Sequence, residues 1–344
     1  MKFQTYDKNR RVTAYWLLTM AFLVFAMVVV GGATRLTESG LSMVNWNPVT
    51  GVIPPIAEAE WASEFSNYKL SPEYKLKNHG MSVDEFKGIF YWEWGHRLLG
   101  RIIGLAFALP LIFFWVKGMV PVGYKPKLLT LFILGGSQGL LGWYMVMSGL
   151  VDEPAVSHYR LTAHLMLALF IFAALLWTAL DLLNPKPVER TKSVVALSHA
   201  LAFMVVLQLI MGALVAGLKA GHIFNTWPLM GETFVPPYLW SMQPVWRNLL
   251  DNAVTTQFDH RIGAYVLLVL VGLLFIKSRR NTALSVKKST AFGVILVTLQ
   301  VLIGIVMLLK NVPVDWGTYH QGGGVVVLAW VVYLLHIQRK NTAT

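Results

Sequence analysis

The sequence has 344 residues, a formal net charge of +12 and no cysteine. Hydrophobic residues make up 56% of it and charged residues 13%, against roughly 45–50% and about 25% in an average soluble domain. This deficit of charge excludes a disordered chain and disfavours a soluble enzyme. Without cysteine, the chain has no disulfide framework, thiolate zinc site, iron–sulfur cluster or cysteine nucleophile.

Long uncharged segments predict membrane-spanning helices, since about 20 apolar residues cross about 30 Å of hydrocarbon. Six segments approach or exceed that length: Val12–Thr34, Leu128–Val151, Leu161–Leu180, Ser193–Leu218, Ser289–Leu309 and Trp316–Gln338. Two shorter segments, Ile102–Val116 and Ile262–Ile276, become full spans only with the preceding turns, Trp92–Arg101 and Phe258–Arg261. Those turns carry ionisable residues into the membrane. The sequence therefore predicts an all-α integral membrane protein with eight transmembrane helices.

The segments between the spans differ in charge from one side of the membrane to the other. The N-terminus, the loops after the second, fourth and sixth spans, and the C-terminal tail carry 17 basic and three acidic residues. The opposite loops carry nine basic and 12 acidic residues. By the positive-inside rule, both termini are expected in the cytoplasm. The basic balance thus indicates membrane topology, and no nucleic-acid partner is expected.

The N-terminal residues suggest which membrane the chain occupies. The first apolar run is too long for a cleavable signal sequence, and no Arg- and Ser-rich amphipathic leader precedes it. A multi-pass protein of a bacterial inner membrane, in contact with membrane lipid, is therefore expected.

The two halves of the sequence share motifs in the same order. Four pairs carry the match: Gly31-Gly32-Ala33 and Met211-Gly212-Ala213, Gly95-His96-Arg97 and Asp259-His260-Arg261, Gln138 and Gln300, and His164 and His320. The offsets fall steadily from 180 to 164, 162 and 156 residues, because the loops of the first half are longer. Each repeat has an even number of spans, so both enter the membrane in the same direction. The expected architecture is two tandem four-helix bundles, residues 1–184 and 185–344, related by a pseudo-twofold axis along the membrane normal.

Four of the nine histidines recur at equivalent positions of the repeats, in the predicted first turns of even-numbered spans: His96, His164, His260 and His320. Each repeat therefore has one pair at similar depth. Two imidazoles on facing helices of a bundle hold a haem iron from both sides. The alternatives are hydrogen bonds between helices, or a zinc or copper ion, for which no third ligand lies nearby. The duplication of the pair favours haem ligation.

The repeats differ beside the first histidine of each pair. Glu93 corresponds to Gln257 at the same offset, and it lies three residues before His96, on the same helix face. A carboxylate there can exchange protons or stabilise charge, which an amide cannot do. The alternative is a structural pair between Glu93 and Arg97. The difference predicts chemistry in the first repeat and a structural or electron-transferring haem in the second.

Other polar residues of the spans have more ordinary interpretations. Arg97 and Arg261 follow their histidines directly and are expected to pair with haem propionates, or else to reach lipid head groups. Gln138 and Gln300 are expected to form hydrogen bonds between helices. His158, which has no counterpart in the other repeat, is expected to be solvated in a loop.

Several motifs together make the chain similar to the haem A synthase family. They are Gly31–Ser42, Glu93–Arg97, Tyr159–His164, Phe258–Arg261 and Tyr319–Gln321. The resemblance covers nearly the whole chain. It implies oxidation of the C8 methyl group of haem O to a formyl group, which gives haem A for terminal oxidases. The absence of cysteine resembles the branch that includes proteobacterial and mitochondrial members.

The resemblance also implies roles for individual residues and partners. His260 and His320 would ligate a resident haem b in the second repeat. His96 and His164 would bind the substrate haem O or its product, and Glu93 matches the family's essential acidic residue. Implied partners are a haem O synthase (a farnesyltransferase), assembly factors of terminal oxidases, and an electron donor that the sequence does not identify.

Two other functions explain part of the pattern. A non-catalytic electron-transfer subunit with two haems b would account for the four histidines but not for the difference between Glu93 and Gln257. A transporter built on parallel repeats would place polar groups or broken helices at the bilayer midplane. In this sequence the polar residues of the spans cluster near the outer face of the membrane instead. Haem A synthesis is the favoured prediction.

Overall fold

Helices dominate the computed structural model, which describes residues 2–47, 50–151, 154–183, 187–188, 191–280 and 282–339, with backbone alone for residues 2–6. Eight long helices follow in chain order: α1 (Lys2–Leu36), α4 (Val83–Val116), α5 (Lys125–Met147), α6 (His158–Leu183), α7 (Lys192–Gly217), α9 (Ala253–Ser278), α10 (Leu284–Leu309) and α11 (Val314–Ile337). Three short helices lie between them: α2 (Glu58–Lys69), α3 (Pro72–Leu76) and α8 (Asn248–Asp251). The described residues contain no β-strand, only one isolated bridge between Met230 and Thr233.

Each long helix contains an apolar stretch that is long enough to cross a membrane, which confirms the prediction of eight spans. The two short apolar segments do extend backwards through their ionisable turns, as α4 and α9. Helix α4 begins at Val83, because Ser82 and Glu85 form a capping box ahead of the apolar run. This start places His96 well beyond the first turn of α4. The other three paired histidines also lie beyond the first turns of α6, α9 and α11. The expectation that the four histidines occupy the first turns is wrong.

The two repeats contact each other through equivalent helices. Helix α1 packs against α11, and α6, the last helix of the first repeat, packs against α7, the first of the second. Helices α6 and α11, which correspond to each other, also meet. This reciprocal pairing is what a twofold relation between the repeats requires. The predicted boundary between residues 184 and 185 lies outside the described residues.

A second, smaller core lies in the long connection between α1 and α4. It is built from buried apolar side chains: Met43, Trp61, Phe65, Tyr68, Phe86 and Phe90. Several of these aromatic rings meet edge-on, such as Trp61 on Phe90 at 5.1 Å between centroids. Helices α2 and α3 supply one side of this aromatic core and the start of α4 supplies the other. The aromatic core fixes the connection at Met43 above α4.

Polar contacts join the repeats at both ends of the bundle. The Nε2 atom of His158 lies 3.0 Å from Oδ1 of Asp251, which also accepts a hydrogen bond from Tyr159. At the other end, Nε2 of the buried His336 lies 3.0 Å from Oδ1 of Asp181. His158 is the first residue of α6 and its side chain is only 20% exposed. The expectation that His158 is solvated in a loop is therefore wrong.

Candidate functional site

His260 on α9 and His320 on α11 face each other across the second repeat. Their ring centroids are 6.2 Å apart and the ring planes are inclined by 81°. An imidazole nitrogen binds a transition metal at about 2.0–2.1 Å, so two imidazoles on opposite sides of one ion have centroids about 6 Å apart. The spacing therefore fits a single iron held from both sides.

Glycines make room for the rings of the four paired histidines. A Cβ atom at Gly212 would lie 3.0 Å from Cε1 of His260, and one at Gly304 would lie 2.7 Å from Cε1 of His320. Gly142 has the same relation to His164, at 2.9 Å. These distances are shorter than carbon–carbon contacts allow, so a side chain there would displace the ring.

Three of the paired histidines are held by a glutamine from a neighbouring helix. The amide nitrogens of Gln138, Gln208 and Gln300 donate to the backbone carbonyls of His164, His260 and His320, at 3.0, 2.8 and 2.7 Å. Each amide also lies 3.1–3.2 Å from the Nδ1 atom of the same histidine. The expectation that Gln138 and Gln300 bridge helices is confirmed.

Sequence reasoning did not single out Gln208. Its signal was an amide in the middle of an uncharged span, four residues before Gly212. The amide oxygens of all three glutamines are buried and have no hydrogen-bond partner among the described residues.

A cavity of about 260 Å³ opens beside His260 and His320. Most of its lining is apolar, but it includes three cationic side chains, Arg35, Lys219 and Arg261, and no carboxylate among its described residues. Burial, and then the charge of Arg35, lower the pKa of Lys219. Glu38, beside the cavity, pairs with Lys219. The excess of positive charge suits an anionic group on a largely apolar ligand.

Arg35 belongs to the first repeat, although the cavity lies in the second. It is in the last turn of α1, and its equivalent in α7 is Val215. Sequence reasoning missed this residue, because nothing in the local pattern indicates that α1 contributes to the other repeat's cavity. The packing of α1 against α11 brings it there.

Glu93 lies in the first repeat with only 2% of its surface exposed. Its Oε1 atom accepts from Arg97 at 2.5 Å, and its Oε2 atom accepts from the Ser42 hydroxyl and the Met43 amide, both at 2.8 Å. The carboxylate therefore binds the connection that the aromatic core holds in place. Because Glu93 is three residues before His96 on α4, both side chains share a face of the helix.

The second repeat has a different arrangement at the equivalent positions. The amide nitrogen of Gln257 donates to the Phe224 carbonyl at 3.1 Å, and its buried amide oxygen has no partner among the described residues. Arg261 donates to the same carbonyl at 2.8 Å and to that of Thr226 at 2.8 Å. The carboxylate is therefore particular to the first repeat.

Both arginines that follow a histidine are engaged with backbone carbonyls. Arg97 donates to the carbonyls of Met43 and Asn45 at 2.9 and 3.1 Å, as Arg261 does in the second repeat. Each arginine therefore holds the loop that precedes its helix. Arg261 also lines the cavity, and its buried Nε atom has no partner among the described residues. Pairing of Arg97 and Arg261 with haem propionates stays a prediction.

These features define an all-helical, multi-pass membrane protein with two facing imidazoles, those of His260 and His320, in its second repeat. Comparison with known proteins gives the particular family. The model of the cytochrome oxidase assembly protein family (COX15-CtaA) matches residues 14–332. The chain belongs to this family.

Named relatives match almost the whole chain. A protein of Parvibaculum lavamentivorans named Heme A synthase is 49% identical over 330 residues, which cover 96% of this chain and 95% of the relative. Proteins of the same name from Rhodospirillum centenum and Rhizobium meliloti are 47% and 48% identical, and the matches cover 96% and 95% of this chain and 89% of each relative.

Proposed function

We propose that the protein is a haem A synthase, an oxidoreductase that converts the C8 methyl group of haem O to a formyl group and gives haem A. The observation that carries this conclusion is the difference between the two histidine-pair sites, because only the first has a carboxylate, Glu93, one helical turn before a ligand. The relatives named Heme A synthase support the same activity. A subunit that only transfers electrons would not need that carboxylate.

The second repeat, residues 185–344, is proposed to hold a resident haem b between His260 and His320. The ring spacing of 6.2 Å and the tethers Gln208 and Gln300 fit that group. The positive side chains of the cavity, Arg35 among them, would bind its propionates. When bound, haem b supplies one-electron transfer.

The first repeat, residues 1–184, is proposed to bind haem O between His96 and His164. The C8 methyl group would lie near Glu93, and two successive hydroxylations by an external oxidant that donates oxygen would give a geminal diol that loses water to form the aldehyde. Glu93 would accept a proton or stabilise positive charge at that carbon. The three hydrogen bonds to its carboxylate hold it in one orientation, as an acid–base group requires.

The distribution of charge supports a membrane topology for the protein. We place the chain in a bacterial inner membrane with both termini in the cytoplasm, because the predicted cytoplasmic segments carry 17 basic and three acidic residues. Its substrate would come from a farnesyltransferase that makes haem O, and its product would pass to assembly factors of terminal oxidases. The electron donor is a further partner.

The role of Glu93 is tested by its amide variant. Membranes that contain the wild-type chain and a source of haem O should form haem A, whereas the Glu93→Gln variant should bind haem and stop at haem O or a hydroxylated intermediate. Haem A production at the wild-type rate by this variant would remove Glu93 from the reaction.

A further inference from the structure

One of the four paired histidines is held differently from the others. His164, His260 and His320 each contact a glutamine amide from another helix. In the described part of the chain, no side chain forms a hydrogen bond with the imidazole of His96. Hydrogen bonds to the second ring nitrogen orient a ligating histidine and raise its affinity for metal. Of the four paired histidines, His96 alone lacks such a glutamine, which we call the tether.

Two coordinated replacements explain why. Gln208 is equivalent to Val28 of α1, and Gly263 is equivalent to Leu99 of α4. In the second repeat, a Cβ atom at position 263 would lie 2.1 Å from the amide oxygen of Gln208, so the glutamine needs the glycine beside it. In the first repeat both positions carry aliphatic side chains. The tether and the space for it are therefore absent together.

The ring of His96 turns a nitrogen atom towards α1. Its Nε2 atom lies 3.1 Å from the position that a Cβ atom at Gly31 would occupy. The equivalent residue of the second repeat is Met211.

We propose that His96 is the exchangeable ligand of the substrate haem, and that the three glutamines act as positioning residues that keep their histidines on iron. This inference rests on the proposed function. The bond between iron and His96 would break and a bond to an external ligand would form in its place, while His164 would retain the haem. Glu93 lies on the same helix as His96, three residues before it.

Carbon monoxide is the probe, since it binds reduced haem iron only where a coordination position is open. The protein is purified from cells with and without a source of haem O, reduced, and titrated with carbon monoxide while absorbance is recorded. Only the preparation with haem O should show a carbon monoxide complex, and its amount should match the haem O and haem A extracted. Carbon monoxide binding in neither preparation, or equal binding per haem in both, would overturn the proposal.

Exchanging the two residue pairs between the repeats tests the tether itself. The Gln208→Val/Gly263→Leu variant should make the second-repeat haem bind carbon monoxide in the preparation without haem O. The Val28→Gln/Leu99→Gly variant should weaken carbon monoxide binding about tenfold or more, within the range that outer-shell hydrogen bonds affect metal sites. Each variant takes its residues from the equivalent positions of the other repeat. A folded, haem-containing variant with unchanged carbon monoxide binding contradicts the tether, and the wild-type titration decides the proposal if neither variant folds.

Extraction of the haems separates this inference from the proposed function. Haem O or haem A in the extract of a preparation that ignores carbon monoxide would leave the synthase assignment intact and refute exchange at His96. Haem B alone, with carbon monoxide binding, would refute the synthase assignment and with it the identity of the exchanging haem.

Discussion

Glu93 and Arg97 form a buried ion pair one turn apart on α4, at 2.5 Å between Oε1 and Nη2. Arg97 also donates to the Met43 carbonyl, and the Met43 amide donates to Glu93. The ion pair therefore supports the connection above α4. It also contains the carboxylate that lies nearest to His96 in sequence. The structural and the chemical interpretations of Glu93 are compatible, because the same hydrogen bonds that hold the loop also hold the carboxylate.

The hydrogen bond from Ser42 to Glu93 should matter for turnover. In the Ser42→Ala variant, the carboxylate keeps Arg97 and the Met43 amide but loses one bond of 2.8 Å. A hydrogen bond to a charged group is worth about 1.5–3 kcal/mol, so haem A formation should fall about tenfold while haem content stays constant. Ser39→Ala, in the same connection and also buried, is the matched control and should keep the wild-type rate.

Haem binding in the second repeat should require the space that Gly304 leaves beside His320. In the Gly304→Ala variant, the new methyl group would lie 2.7 Å from the ring and displace it. The second-repeat haem should be lost, which haem content per chain in preparations without haem O will measure. Gly272→Ala, on α9 with open space around its Cβ position, should keep its haem. Equal haem content in the two variants would show that the ring does not hold iron there.

Arg35, which belongs to the first repeat, should bind an anionic group of the haem in the second repeat. Replacing it with leucine removes one charge from the cavity and keeps its apolar lining. The second-repeat haem should then bind about tenfold to a hundredfold more weakly, the cost of a lost charged hydrogen bond, as followed by haem loss to apomyoglobin. Arg280→Leu, at an exposed position beyond α9, is the control. Wild-type retention by Arg35→Leu would exclude this contact.

The stability of the folded protein should depend on pH through Glu73, which lies in the connection between α1 and α4. Burial, together with the smaller effect of the Glu93 charge, raises the pKa of Glu73 to about 7, against the lowering effect of the hydrogen bond that the Tyr68 hydroxyl donates to it. Between its ordinary value near 4.5 and about 7, the folded protein binds more protons than the unfolded chain. The stability that this group contributes is therefore present at low pH and is lost as the pH rises through about 7.

The Glu73→Gln variant should lack that dependence. Its melting temperature should change less than that of the wild type between pH 5 and about pH 8, and it should exceed the wild-type value most at the upper end. Glu58→Gln, at an exposed position of α2, should follow the wild-type curve. A parallel pH profile for Glu73→Gln and wild type would mean that Glu73 does not titrate in this range.

The sequence predicts the eight spans and the meeting of His260 with His320, because both follow from patterns along the chain. Charge-free length alone indicates the eight helices, and the duplication identifies His96 and its three counterparts. Contacts between residues far apart along the chain are a different matter. The bond between His158 and Asp251 joins residues 93 positions apart, and Arg35 reaches a cavity of the other repeat, since helix packing rather than local sequence brings them together.

The aromatic core shows the same limit at another scale. Helices α2 and α3 are too polar and too short to appear in a search for spans. Their function becomes visible only when Tyr68 and Phe86 are seen to stack, with centroids 5.0 Å apart. That contact supports Met43, and through it Glu93. The position of Glu93 beside His96 was thus predictable from the sequence, but the structure that holds its carboxylate was not.

The central claim is that one repeat holds a resident haem b and the other converts haem O to haem A. The most direct measurement is chromatographic identification of the haems extracted from the purified protein, made in cells with a source of haem O. The account predicts haem B together with haem O or haem A. Haem B alone, at two per chain, would contradict it and would identify the protein as an electron-transfer cytochrome.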